Sequence, residues 1–188
     1  FERIDCTNQQ ANNIVFYSSG RTDHLELLQE IESWKKLKPT AASPYYYQGL
    51  ILFSLQKYED FLRCSEHYMH LANKTDMPSI MNRYYYALAS LMCRRKIKPI
   101  LQNINLCLCY KPLMSELWCL MGDVYYHLIK DFSSAKEFYE NAIILGKYRL
   151  KDDMWPMDLS KYKDYPIRMI DSCQKILVNQ DSFEISSN

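Results

Sequence analysis

An internal repeat constrains the fold of this chain more than any other feature. A run of three tyrosines that begins at Tyr45 recurs at Tyr84, an offset of 39 residues, and at the same offset Leu52 corresponds to Leu91. Apolar residues follow a period close to 3.6 through most of the chain, which is the spacing of one face of an α-helix. Self-similarity at this period is typical of stacked supersecondary units. We therefore expect an array of helix pairs.

The composition agrees with helices and narrows the classes of function. The chain holds 4 Gly and 7 Pro in 188 residues, too few for the frequent turns of an all-β fold. Because 23 basic residues oppose 22 acidic ones, no strong positive field attracts nucleic acid, and we expect no nucleic-acid partner. The basic run Arg94–Lys96, with Lys98 behind it, is interpreted as a solvated turn, with a phosphate-binding patch as the alternative. No apolar stretch reaches about 18 residues, so we expect no membrane span.

The number and spacing of the cysteines indicate a reducing compartment. There are seven, an odd number, and none forms a C-x-x-C pair. Free thiols in a reducing compartment are the simplest interpretation, which predicts a cytoplasmic location. The chain begins at Phe1 rather than Met, so we expect a piece of a longer protein.

A third copy of the repeat begins at Ser115 and carries a resemblance. Its apolar and small residues recur at four and seven positions in each of two helices: Trp118, Gly122 and Tyr125, then Ala135, Tyr139 and Ala142. Together with Met121, these residues resemble the signature of the tetratricopeptide (TPR) repeat. The resemblance implies a close helix crossing at Gly122, Ala135 and Ala142, where only small residues let the backbones approach. It also implies an all-α fold, a right-handed solenoid of antiparallel helix pairs.

The predicted organisation is a single helical-repeat domain over residues 1–188. An insertion of about five residues around Asp76 to Ser79 accounts for an offset that exceeds the usual period of about 34 residues. The segment 12–17 is predicted as a helix, with an extended strand as the alternative. The domain divides into repeats near 9–41 (partial), 42–75, 81–114 and 115–149, a loop over 150–163, a capping helix over 164–178 and a disordered tail over 179–188.

The TPR resemblance also implies a binding site. In that family, ligands lie in the concave groove formed by the first helix of each pair. The corresponding positions are mostly aromatic and apolar and lack the basic clamp with which chaperone-binding members hold a terminal carboxylate, so a protein or peptide partner is predicted. For Tyr46 and Tyr85, packing between neighbouring repeats is an equal alternative. The predicted groove comprises Tyr46, Leu50, Phe53, Asn82, Tyr85, Ala89, Met92, Glu116, Cys119, Asp123 and Tyr126.

Catalytic and metal-binding motifs do not stand out. The sequence has no G-x-S-x-G, G-x-G-x-x-G, P-loop or H-E-x-x-H motif, so we expect no enzyme activity within these residues. His67 and His70 stand three apart on a predicted helix and could share a metal ion, but no third or fourth ligand follows nearby. We interpret them as a surface pair and expect no metal and no cofactor.

Two functions remain open at this point. The first is a scaffold that binds another protein. The alternative is a non-catalytic accessory domain of a larger enzyme, because the stretch from Glu116 through Trp155-Pro156 to Pro166 is similar to helical repeat segments that follow family 2 glycosyltransferase domains. Binding of single-stranded RNA would need basic and aromatic residues interleaved on one face, and the basic residues are missing. The identity of the partner and the oligomeric state stay open.

Overall fold

The computed structural model describes residues 24–72, 76–149 and 158–186, with side chains as far as Gln180. These ranges hold α-helices and no strand, which confirms the all-α prediction. The predicted first helix of the partial repeat, with segment 12–17, lies outside them. The helices are α1 (His24–Leu37), α2 (Ser43–Ser54), α3 (Tyr58–Leu71), α4 (Met77–Met92), α5 (Ile97–Tyr110), α6 (Ser115–Val124), α7 (Phe132–Gly146) and α8 (Asp164–Ser186).

Local chemistry explains where several helices begin. Asp131 precedes α7, and its carboxylate accepts hydrogen bonds from the backbone N–H of Ser134 at 3.0 Å and from that residue's hydroxyl at 2.6 Å. Asp76 precedes α4 and accepts from the backbone N–H of Ser79 at 2.9 Å. These side chains satisfy N–H groups that lack a partner within the helix. Pro44 stands in the first turn of α2, where a missing N–H costs nothing.

The chain divides into two compact units, where the sequence predicts one domain. The first unit ends at Ala89 and the second begins at Ser90, so the division falls within α4. In a helical array each element packs mainly on its neighbours in sequence, so a boundary can fall inside a repeat. The two units are therefore described separately.

In the first unit α1, α2 and α3 pack in sequence, and in the second α5 packs on α6, α6 on α7, and α7 on α8. The second helix of each pair, namely α3, α5 and α7, buries one stripe of residues. The stripe has the spacing i, i+4, i+7, as the sequence predicts for the third repeat. Its members are buried in all three helices: Phe61, Ser65 and Tyr68 in α3, Ile100, Ile104 and Cys107 in α5, and Ala135, Tyr139 and Ala142 in α7.

The five extra residues between the first two tyrosine copies belong to a helix. The sequence places them in an insertion around Asp76 to Ser79, before a repeat that starts at residue 81, whereas α4 already begins at Met77. The added turn is held in place because Ser79 is buried, with its hydroxyl 3.2 Å from the hydroxyl of Tyr68. The insertion therefore lengthens α4 at its N-terminus instead of forming a loop.

A π-helical turn explains a second irregularity of the repeat. In the first helices of the second and third repeats, the equivalent residues Tyr84 and Trp118 are 34 positions apart. In the second helices, the equivalent residues Ile100 and Ala135 are 35 apart, so the third repeat has one additional residue between its two helices' stripes. Residues Tyr125–Ile129, directly after α6, form a π-helix, whose wider turn takes in one additional residue. Lys130 then adopts a left-handed conformation with φ of 64° and ends the helix.

The C-terminal helix is longer than predicted. It runs from Asp164 to Ser186, so residues 179–186 are helical where the sequence analysis expects a disordered tail. Nothing in this stretch stops a helix, because it contains neither Pro nor Gly. Within the predicted loop 150–163, residues Leu159–Tyr162 form a 3-10 turn, and residues 150–157 lie outside the described ranges. None of the described helices combines the length and apolarity that crossing a bilayer demands.

Candidate functional site

In the first unit, the predicted groove residues Phe53 and Tyr85 lie against each other. Their ring centroids are 4.8 Å apart, and the ring of Phe53 also lies 5.5 Å from Tyr58 and 5.3 Å from Phe61. Both Phe53 and Tyr85 are half-buried, so each residue keeps some solvent-accessible area. Burial raises the pKa of the Tyr85 hydroxyl above its usual value. This contact joins α2 to α4 and forms an aromatic surface beside the half-buried Leu50.

Tyr46, another predicted groove residue, packs inside the first unit. Its ring lies 5.3 Å from Tyr68 and 5.5 Å from Tyr47, and its hydroxyl approaches the sulfur of Met81 at 3.7 Å. Desolvation raises the pKa of Tyr46 well above the normal range, and the neighbouring tyrosines add to the shift. These contacts favour the alternative of packing for this tyrosine.

Two further predicted positions in α4 are buried. Asn82 is only 2% exposed, and its side-chain amide donates to the hydroxyl of Ser65 at 2.8 Å. Ala89 is fully buried. Asn82 therefore links α4 to α3 and does not line an accessible groove. From sequence alone, a polar residue on a helix face is expected to be exposed. The burial of Asn82 could not be predicted, because its hydrogen-bond partner Ser65 lies 17 residues earlier, on another helix.

A polar network that joins α1, α2 and α3 was not foreseen. The Lys35 ammonium pairs with the carboxylate of Glu32 at 2.9 Å and lies 4.6 Å from the ring centroid of Tyr45. Gln48 donates to Glu32 at 2.8 Å and accepts from the Cys64 thiol at 3.0 Å. The hydrogen bond from Lys35 is the main reason that the pKa of Glu32 is lowered. The network joins three helices, so no local pattern in the sequence reveals it.

His67, which the sequence pairs with His70, has an aromatic neighbour. Its ring stacks on that of Tyr45 with centroids 5.3 Å apart. Among the described residues, no group of three or more His, Cys, Asp or Glu side chains is arranged to hold a metal ion. The six cysteines within the described ranges are free thiols.

In the second unit, Glu116 lies at the centre of a buried ion pair. It is 3% exposed, and both of its carboxylate oxygens accept from the guanidinium of Arg149 at 3.2 Å. It also accepts from the Tyr162 hydroxyl at 2.8 Å and from the backbone N–H of Asp158 at 2.9 Å. Desolvation raises the pKa of Tyr162. Glu116 is thus engaged by its own chain and is not open to a partner.

The next two predicted positions of α6 are covered in the same way. The Cys119 thiol, fully buried, donates to the backbone carbonyl of Lys161 at 3.4 Å, and burial strongly raises its pKa. Asp123 accepts from the hydroxyls of Tyr139 at 2.7 Å and Tyr165 at 2.5 Å. Residues 158–165 therefore lie over three of the four predicted groove positions in the third repeat.

The remaining predicted positions of the second unit differ in exposure. Tyr126 is half-buried in the π-helical turn, with its ring 5.3 Å from Phe132 and 4.9 Å from His127. Met92 is 60% exposed. Of the predicted groove, then, half-buried or exposed side chains remain at Tyr46, Leu50, Phe53 and Tyr85 in the first unit and at Met92 and Tyr126 in the second. Tyr46 differs from the others because its ring and hydroxyl contact Tyr68 and Met81.

Comparison with known proteins identifies the fold. No family model matches the chain, and no curated protein sequence matches it. Solved structures do match it, among them MamA from residue 41 to its end, of Desulfovibrio magneticus RS-1, and an ArsTM double mutant of MamA RS-1. Each has a TM-score of 0.65 and 16% sequence identity over 95% of this chain, covering 95% and 94% of the MamA chains respectively.

The likeness to the MamA structures shows the fold of this chain and not its function. Neither structure is described as part of a glycosyltransferase, so that resemblance stays a prediction. At 16% identity, function does not transfer with architecture. The likeness spans nearly the whole of both chains, so the chain has a TPR-like fold of packed α-helices.

Proposed function

We propose that this chain is a protein-interaction module that binds a segment of a partner protein on the aromatic surface of its first unit. The contact between Phe53 and Tyr85 carries the proposal, because two half-buried rings 4.8 Å apart bridge the first helices of successive repeats. Large, rigid aromatic side chains with part of their area exposed are typical anchors of a protein interface. Leu50, one turn before Phe53 on α2, extends the surface with an aliphatic side chain.

The chemistry of this surface favours apolar recognition. No Lys or Arg occupies any position of the predicted groove, so a carboxylate clamp or a phosphate track is not expected there. Aromatic contacts are not screened by salt, whereas ion pairs between exposed charges are. Partner binding should therefore change little with ionic strength.

The chain would act by binding and not by catalysis. Its buried carboxylates, Glu116 and Asp123, are hydrogen-bonded within the second unit, which supports a structural use of both groups. The free thiols support a reducing compartment, for which we propose the cytoplasm. The near balance of charge supports a protein partner over nucleic acid.

A selected ligand tests the site. A peptide would be chosen from a random library on the full chain, and its affinity measured by fluorescence anisotropy. Phe53→Ala and Tyr85→Ala should each weaken binding by about fivefold or more, equivalent to about 1 kcal/mol. Tyr148→Ala is the matched control, because Tyr148 is an aromatic residue of the second unit that is 68% exposed, and it should leave affinity unchanged.

Two readouts make the test decisive. Circular dichroism shows whether each variant keeps its helices, and a salt series shows what kind of contact holds the peptide. Folded variants that bind with wild-type affinity would place the site elsewhere. An affinity that collapses between low and moderate salt would point instead to the exposed basic turn at Arg94–Lys96.

A further inference from the structure

A segment of the chain itself covers the first helix of the third repeat. We call residues 158–165 the strap. It contacts Glu116, Cys119 and Asp123, which are spaced along one face of α6. These are positions where the TPR resemblance places a bound ligand. The strap thus lies where a partner segment would lie.

The strap is held in the manner of a bound peptide. Two contacts use its main chain, since the N–H of Asp158 donates to Glu116 and the carbonyl of Lys161 accepts from Cys119. Two more use the hydroxyls of Tyr162 and Tyr165, which donate to the carboxylates of Glu116 and Asp123. Main-chain contacts supply affinity and spaced side chains supply specificity in peptide recognition.

The strap is less buried than the helix beneath it. None of residues 158–165 is buried, and Leu159 is 73% exposed. The α6 side chains beneath it are buried. Two of its side chains reach inward, since the ring of Tyr165 packs against the core residue Tyr139 with centroids 6.2 Å apart and the ring of Tyr162 lies against Gly146. Elements that bury little apolar surface open at lower free energy than core helices, and the strap's hold rests on these two rings and four hydrogen bonds.

Departure of the strap would leave each of the two buried carboxylates of α6 with a partner. Glu116 keeps its ion pair with Arg149 at 3.2 Å, and Asp123 keeps the hydroxyl of Tyr139 at 2.7 Å. A buried carboxylate without any partner is strongly destabilising, and opening the strap leaves neither Glu116 nor Asp123 in that state. The uncovered surface would be ready to accept hydrogen bonds from another segment.

We infer that the strap is an intramolecular ligand that occupies the α6 surface in cis, and that a partner segment rich in tyrosine hydroxyls and free N–H donors gains this surface by displacing it. The inference adds regulation to the proposed function and rests on it for the existence of a partner. Its test uses the strap's own sequence and the second unit, so it can fail while the test on Phe53 and Tyr85 succeeds, and the reverse.

The test measures binding of the strap in trans. A fluorescent peptide with the sequence of residues 158–168 is titrated into the full chain and into a Tyr162→Phe, Tyr165→Phe double variant. Each lost hydroxyl weakens the cis contact, so the open fraction should rise by about tenfold per hydroxyl. The peptide should bind the double variant at least tenfold more tightly than it binds the wild type. Tyr148→Phe, which removes the hydroxyl of an exposed tyrosine, should bind the peptide as the wild type does.

Hydrogen exchange separates a strap from a part of the core. In the double variant, amides of residues 158–165 should exchange faster, while those of α7 keep their protection. A peptide with Phe in place of both tyrosines should bind the double variant at least tenfold more weakly. Equal binding of the tyrosine peptide to both chains, or none to either, would overturn the inference. So would loss of protection in α7 together with the strap.

Discussion

Replacement of Gly122 by Ala tests the closest helix crossing in the second unit. A Cβ at this position would lie 2.6 Å from Cε1 of Tyr139 and 2.8 Å from its Cδ1 and Cζ. The ring has no room to withdraw, because Tyr139 is fully buried and its hydroxyl donates to Asp123 at 2.7 Å. Overpacking costs about 1 to 3 kcal/mol, and disturbing a hydrogen bond to a buried carboxylate costs a further ~1 to 3 kcal/mol.

The higher helix propensity of alanine offsets only part of the destabilisation expected for Gly122→Ala. Alanine in place of glycine within a helix ordinarily adds about 1 kcal/mol of stability, so a net loss of about 1 to 5 kcal/mol is expected. Urea unfolding followed by circular dichroism measures it as a lower midpoint. Gly49→Ala in α2 is the matched control, because its Cβ would lie 3.3 Å from the nearest atom of Phe61, and it should stay within about 1 kcal/mol of the wild type. A Gly122→Ala variant as stable as the wild type, or more so, would refute the close crossing with Tyr139.

Three further outcomes follow from buried groups. Glu116→Ala should lower stability to urea by about 3 to 5 kcal/mol, because it removes the carboxylate of a buried ion pair and leaves the Arg149 guanidinium in place, whereas Glu116→Leu combined with Arg149→Met should recover much of the loss. Ellman's reagent should modify the exposed Cys109 in the folded protein, but Cys119 only after unfolding. Burial raises the pKa of Tyr68 to about 12 against ~10 in an unfolded chain, so its contribution to stability should hold below pH ~10 and be lost as the pH rises towards 12. Tyr68→Phe should make that decline shallower.

The helix pairs were predictable because their signal is local. Small residues at Gly122, Ala135 and Ala142 recur at helical spacing, and a close crossing requires them. The structure bears this out, since Ala135 and Ala142 are buried and a Cβ at Gly122 would strike Tyr139. The same local reading gave the start of the third repeat at Ser115, where α6 begins.

Several residues of the predicted groove are buried instead of exposed, because their exposure depends on residues that are distant in the sequence. Glu116 meets Arg149 and Tyr162, which are 33 and 46 positions away. A charged residue beside a packed stripe is ordinarily exposed, and only the fold shows that this one is paired inside. The π-helical turn was equally hidden, because a single extra residue leaves no motif. The one available signal was a difference in spacing between equivalent residues, 34 positions from Tyr84 to Trp118 but 35 from Ile100 to Ala135.

The proposed binding surface can be tested most directly by nuclear magnetic resonance. A library-selected peptide would be added to the isotope-labelled full chain, and the shifts of aromatic and methyl groups followed. Binding on the aromatic surface predicts that the largest perturbations fall on Leu50, Phe53 and Tyr85, with Tyr148 unchanged. A saturable peptide that shifts none of these three residues would contradict the proposed site.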